Sequence, residues 1–201
     1  MATIPTATVE AFDRQCRAAG GRLPCFCFGS NSAVQVRERV VNPFLTPERA
    51  RVRGYRRVYA GYSRSWGGGG VASIVPVPVG ATAAARQNPH LEQTLGSVIY
   101  LSPSEFETLD RFEGIPDGVD PFSTDARSNV YRREWVHVEI GGDGDDDNVR
   151  ETAVVVALGI AFVRNDLTWK GYPSDRYLAA CTRNIGQFWP RQLEAGLPVC
   201  V

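Results

Sequence analysis

The sequence predicts an α+β protein with a largely antiparallel sheet or a small mixed/antiparallel β-barrel, flanked by a few helices. Three observations point there. Short apolar, β-branched runs are numerous, strongly amphipathic helical stretches are few, and strands and helices do not alternate as a parallel α/β sheet requires. The 201 residues, 43% hydrophobic and 22% charged, fit one domain spanning 1–201, with 1–22 as an N-terminal helical extension.

The elements follow in order. Residues 8–19 predict a helix, because Val9, Phe12, Cys16 and Ala19 recur at helical spacing and Gly20-Gly21 stops it. Residues 23–28, LPCFCF, read as a buried strand with Pro24 at its start or edge. The run breaks at Gly29-Ser30-Asn31, and a polar stretch with helical character follows. Further strands are expected at 53–62, where aromatic and basic residues alternate, and at 71–75, 96–101, 130–140 and 152–163. Between them, 65–70 is a glycine loop, 81–94 an inserted surface loop and 141–148 a solvated acidic hairpin tip. Ser102-Pro103-Ser104-Glu105 opens a capped helix that runs to about Glu113 and stops at Gly114. A last helix over 174–189 carries Tyr177, Leu178, Cys181, Ile185 and Phe188 on one stripe.

Charge and cysteine content narrow the function. Lys plus Arg number 22, as do Asp plus Glu, so the formal net charge is zero. That balance argues against a nucleic-acid binder and against a polybasic membrane anchor. No apolar run approaches membrane-spanning length, and the first residues lack the charged and apolar regions of a secretory signal. Cys16, Cys25, Cys27, Cys181 and Cys200 make an odd set without zinc spacing. Reduced thiols, a cytoplasmic location and no metal are the expectation. The arginines at 51, 53, 56, 57, 132 and 133 are expected to face solvent from their strands.

Two local features carry chemistry. Phe106, Leu109, Asp110 and Glu113 stand at i, i+3, i+4 and i+7, so Glu113 shares the core-facing stripe of its helix. In the last turn, desolvation and the helix dipole both disfavour its charge, which suits a carboxyl to proton transfer near neutral pH. Periodicity alone equally allows the side chain to reach solvent past the helix end. Phe28-Gly29-Ser30-Asn31 follows a buried strand, and its backbone N–H groups suit a carboxylate or another small anion. An ordinary turn capping the next segment fits the same residues.

Together these pieces resemble a known family. CFCFGSN (25–31) resembles the (F/Y)-x-Y-G-S-N turn of the γ-glutamylcyclotransferase superfamily. WGGGGVASIVP (66–76) resembles its glycine-rich segment and short strand. LGSVIYLSPSEFETLDRFEGI (95–115) resembles its strand and its helix ending L-D-x-x-E-G. VYRREWVHVEI (130–140) resembles the next strand, and YPSDRYLAACTRNIGQFW (172–189) the closing P-S-x-x-Y helix. The order also agrees, over most of 23–189.

The resemblance implies a small barrel-like fold and conversion of γ-glutamyl amino acids or dipeptides to 5-oxoproline and a free amine. The substrate's own α-amine attacks its γ-carbonyl, so no protein nucleophile, metal or cofactor is expected. Carried over, the catalytic glutamate falls on Glu113. The substrate-binding strand end and turn fall on Cys25, Phe26, Cys27, Phe28, Gly29 and Ser30, with Asn31 next. The pocket-lining tyrosine falls on Tyr177. Ser30 or Tyr177 would face the developing carbonyl charge, and Tyr131 is a further pocket candidate. Phe28 departs from the usual tyrosine, and residues 116–129, longer than usual, read as a candidate lid after Glu113. The expected partner is a small γ-glutamyl molecule, with no nucleic acid or membrane, and the chain a monomer or homodimer. The alternatives are a γ-glutamylamine cyclotransferase of the same fold, whose turn tends to read Gly-Thr-Leu, and a non-catalytic module that kept the fold.

Overall fold

Strand β1 (Leu23–Cys27) is buried along its whole length, and the reason is its pairing on both edges. In the computed structural model, which describes residues 3–77, 92–141, 154–168 and 171–190, β1 lies antiparallel to β5 (Gln93–Leu101) and parallel to β7 (Val155–Arg164). Cys25 is opposite Ile99 on one side and Ile160 on the other. The antiparallel neighbours β2 (Glu48–Arg53) and β6 (Tyr131–Ile140) complete a closed barrel in the order β1-β5-β2-β6-β7. Pro24, which has no N–H to give, precedes the first residue paired with β7. Gly96 permits β1 and β5 to approach, because a Cβ there would collide with the Cys27 carbonyl.

The predicted strand 53–62 is divided in the structure. Gly54, at φ 74°, turns the chain between β2 and β3 (Tyr55–Ala60). β3 leaves the barrel and pairs with β4 (Val71–Pro76) as a separate ribbon. A 3₁₀ turn, Arg64–Trp66, follows β3. The basic–aromatic alternation runs on across Gly54, so it hides the corner.

The helices cover the barrel. α1 (Val9–Ala18) is capped by Thr8, whose hydroxyl accepts from Ala11 N–H at 3.2 Å, and Gly20 and Gly21 end it with positive φ. Its buried face is Ala11, Phe12 and Cys16. Val9 and Ala19, placed on that face by their spacing, are exposed: Val9 heads the helix beside a surface hollow under residues 115–121, and Ala19 lies at its C-cap. α2 (Ala33–Val40) starts at the Ser32 cap straight after the Gly-Ser-Asn turn. α3 (Pro103–Phe112) has the expected capping box between Ser102 and Glu105. α4 (Asp175–Gly186) buries Tyr177, Ala180, Cys181, Asn184 and Ile185. No helix among the described residues is long and apolar enough to cross a membrane.

The barrel wall is apolar on both faces. One cluster joins Cys25, Ile99 and Trp135 to Phe12 of α1 and to Phe106 and Leu109 of α3. The other joins Phe26, Val98 and Val136 to Tyr59 and Ile74 of the ribbon and to Tyr177 and Cys181 of α4. Arg53 and Arg56 face solvent as expected, but the structure corrects that reading for Arg57 and Arg133. Arg133 is 4% exposed and grips Asp110 of α3 with two hydrogen bonds, 3.0 and 2.7 Å long. Its guanidinium also lies 4.4 Å from the Phe12 ring centroid. Arg57, 6% exposed, donates to the carbonyls of Phe28 (2.9 Å) and Leu95 (2.6 Å). A guanidinium can be buried in this way when its donors are matched.

Residues 116–129, read as a candidate lid, border neither of the two cavities that Glu113 borders. Phe122 is buried against Phe12 and Trp135, and the segment borders the hollow beside α1. Most of the predicted loop 81–94, the acidic tip after Gly141 and Cys200 lie outside the described residues.

Candidate active site

The position of Glu113 follows from how α3 stops. Glu113 is the C-cap and Gly114, at φ 75°, is the residue after it. Ile115 N–H bonds back to the Asp110 carbonyl at 2.9 Å and Gly114 N–H to that of Arg111 at 3.3 Å, while the Ile115 side chain is buried. These are the paired bonds of a Schellman stop, which glycine permits because it pays no Cβ penalty at positive φ. The chain therefore turns away at once and leaves the Glu113 side chain facing the end of β1.

The turn after β1 is held from behind. Arg57 takes the Phe28 carbonyl, and Asn184 of α4 donates to the carbonyls of Gly29 and Asn31. The Gly29 backbone is not left-handed. What favours glycine there is space: a Cβ would stand 3.1 Å from Tyr177 Oη and 3.3 Å from Ala72 Cβ. Tyr177 Oη accepts from Ala72 N–H at 2.8 Å and has the Ser30 hydroxyl as a further polar neighbour.

These elements enclose an inner hollow of ≈ 50 Å³, several times the ~10–15 Å³ that one water needs. Cys25, Phe26, Cys27, Phe28, Gly29, Ser30, Asn31, Glu113 and Tyr177 all border it, so every site residue expected from the sequence lies at one place. Tyr131 also borders it, with Ala72 and Phe162. The hollow shares Ser30, Asn31, Glu113, Tyr131 and Tyr177 with an outer cleft of ≈ 400 Å³.

The electrostatics centre on one carboxylate. The Glu113 side chain is 11% exposed, and burial pushes its carboxyl above the usual range. The Arg39 guanidinium, at 2.8 Å, and the Asn31 amide, at 3.3 Å, pull the other way, and the nearby Asp110 charge adds to the rise. Both hydrogen bonds fall on Oε1; among the described residues none reaches Oε2. Arg39 also donates to Asn31 Oδ1 at 3.1 Å, so turn, helix and carboxylate form one unit. Burial and the Glu113 charge push the Tyr131 phenol up to about 12, and burial takes the Tyr177 phenol well above its usual value. Both are neutral hydroxyls near pH 7. The Cys25 thiol is likewise raised, chiefly by its contact with Cys27 and by burial, and so stays protonated.

Three solved structures share this architecture. A γ-glutamyl cyclotransferase superposes with a TM-score of 0.57 at 17% identity, over 90% of each chain. An uncharacterised protein from Homo sapiens gives 0.57 at 18% identity, over 90% of this chain and 91% of that one. YkqA from Bacillus subtilis gives 0.54 at 18% identity, over 94% of this chain and 60% of that one. This chain has the γ-glutamylcyclotransferase fold. Its sequence matches no family model and no curated protein.

Within the γ-glutamylcyclotransferase fold, three neighbours of the hollow escaped the sequence reading. Asn184 stands two turns after Tyr177 on the α4 stripe, so helical spacing could have found it. Arg39 follows Gln35 by four residues on α2, but no local pattern pairs it with a glutamate 74 positions away. Arg57 was read as a surface residue of a strand.

Proposed function

We propose that this chain is a γ-glutamylcyclotransferase that converts γ-glutamyl amino acids or dipeptides to 5-oxoproline and the free amine. One observation carries the reading: the inward carboxylate of Glu113 and the backbone of the 28–31 turn border the same small hollow. The backbone N–H groups of residues 28–30 would hold the substrate's α-carboxylate. Glu113 Oε2 would take a proton from the α-ammonium. The freed amine then attacks the γ-carbonyl carbon, the new C–N bond closes a five-membered lactam and the old amide bond breaks. The proton held by Glu113 goes to the departing nitrogen and restores the carboxylate; the second proton, which the ring nitrogen sheds as the lactam closes, passes to the freed amine, so it leaves as an ammonium. Holding the substrate folded makes the attack intramolecular, and orientation of this kind lowers such barriers by several kcal/mol. The hydroxyls of Ser30 and Tyr177 are the donors available to the developing oxyanion.

The direct test is incubation of the purified protein with γ-glutamyl-alanine. Equal amounts of 5-oxoproline and alanine are expected; glutamate in place of 5-oxoproline would mean hydrolysis and sink the reading.

Arg39 sets where in pH the reaction runs. Its charge holds the Glu113 carboxyl down against burial, and the base must be ionised to accept a proton. Arg39→Met removes that opposing influence, so the acidic limb of the kcat/KM profile is expected to move to higher pH. A limb that stays in place would show that Glu113 does not control it.

A further inference from the structure

The outer cleft carries positive charge that the Glu113 chemistry does not use. Arg39, Arg64 and Arg164 border it, against one carboxylate, Glu113. Arg39 is committed to that carboxylate at 2.8 Å. Neither Arg64 nor Arg164 forms an ion pair among the described residues.

Arg164 is fixed rather than trailing in solvent. It ends β7, its N–H bonds to Ser73 Oγ at 3.1 Å, and its guanidinium lies 5.4 Å from the Tyr131 ring centroid. It packs across Gly61, where any Cβ would collide with the guanidinium. Its Nε is buried without a hydrogen-bond partner. The Asp166 charge is felt nearby, but its Oδ1 is taken by Thr168 N–H (2.9 Å) and Oγ1 (2.6 Å). Arg64 is exposed on the 3₁₀ turn across the cleft mouth. A half-buried guanidinium with an unmatched donor favours an anion that brings its own acceptors.

The geometry points to what that anion is. If the glutamyl head occupies the inner hollow, the scissile amide lies beside Glu113 and the leaving group extends into the outer cleft. We propose that Arg164, with Arg64, binds the carboxylate of the leaving amino acid or peptide, and so selects γ-glutamyl amino acids over γ-glutamylamines by charge. This rests on the cyclotransferase reading above and adds its specificity determinants.

The test compares γ-glutamyl-alanine with γ-glutamyl-ethylamide, which differ only by that carboxylate, following 5-oxoproline release. Wild type is expected to favour the alanine compound in kcat/KM by about 10–100-fold, the scale of a charged hydrogen bond. Arg164→Gln is expected to remove most of that preference through KM, leave ethylamide turnover unchanged, and be partly rescued by Arg164→Lys. Unchanged ethylamide turnover also reports an intact fold. Should Arg164→Gln fail to fold, Arg64→Ala on its exposed turn and added salt are each expected to narrow the preference. Equal kcat/KM for the two substrates in wild type, or parallel loss on both in Arg164→Gln, overturns the subsite while the activity stands. Release of 5-oxoproline from neither substrate overturns the cyclotransferase reading and the subsite with it.

Discussion

Glu113→Gln is expected to lower kcat for 5-oxoproline release by about 10²–10⁴-fold, the usual contribution of a positioned general acid–base group. Glutamine keeps the shape of the side chain, and its amide oxygen still accepts from Asn31 and Arg39, so the hollow should persist. What it cannot do is take a proton from an ammonium group. KM should therefore change little while kcat falls, the pattern of an interaction made on the way to the transition state. Steady-state rates on γ-glutamyl-alanine, with thermal melting to confirm folding, check this. A variant that keeps near wild-type kcat would remove Glu113 from the chemistry.

The second large effect concerns stability. Removing one partner of the Asp110–Arg133 pair, as in Asp110→Ala, is expected to cost about 3–5 kcal/mol, because it strands a charge in the core. Arg133 is 4% exposed and has no other carboxylate within ion-pair distance among the described residues. The double variant Asp110→Leu with Arg133→Met is expected to recover much of the loss, since apolar residues of similar size commonly replace a buried ion pair at little net cost. Urea unfolding of the single and double variants measures both. A loss below about 1 kcal/mol for Asp110→Ala would show that water reaches the guanidinium. The pair also bears on the site: burial pushes the Asp110 carboxyl up, Arg133 draws it down, and the remaining negative charge adds to the rise at Glu113. Asp110 also supplies the carbonyl that caps α3.

What the sequence made legible was local. The capping box at Ser102 and the glycine at 114 bound α3 on both sides, and the i+7 spacing from Phe106 turned Glu113 inward. The apolar run before Gly29 gave β1 almost to the residue. What stayed hidden was long-range. Alternation identifies a buried face only when the other face meets water, and here the barrel wall is covered on both sides. Arg133 of β6 therefore reads as a surface residue where the wall is covered, and Arg57 of the ribbon reads so because its partners, the carbonyls of Phe28 and Leu95, are distant in sequence. Gly54 lay inside an unbroken alternation, and only the departure of β3 to pair with β4 exposes it as a corner. Arg39 reaches Glu113 from a helix whose own pattern carries no sign of a partner.

The parallel seam between β1 and β7 has a consequence for how the protein comes into being. It joins residues 25 and 26 to residues 160 and 161, and Asn184 then clasps the turn at Gly29 and Asn31. A nascent chain emerging from the ribosome makes residues 23–27 early but cannot hold the turn beyond them until residues 160, 161 and 184 have been synthesised. Contacts this distant along the chain form slowly, because the loop they close is long. The candidate site is thus completed late, and a copy terminated before residue 184 would carry the turn residues without the clasp that holds them.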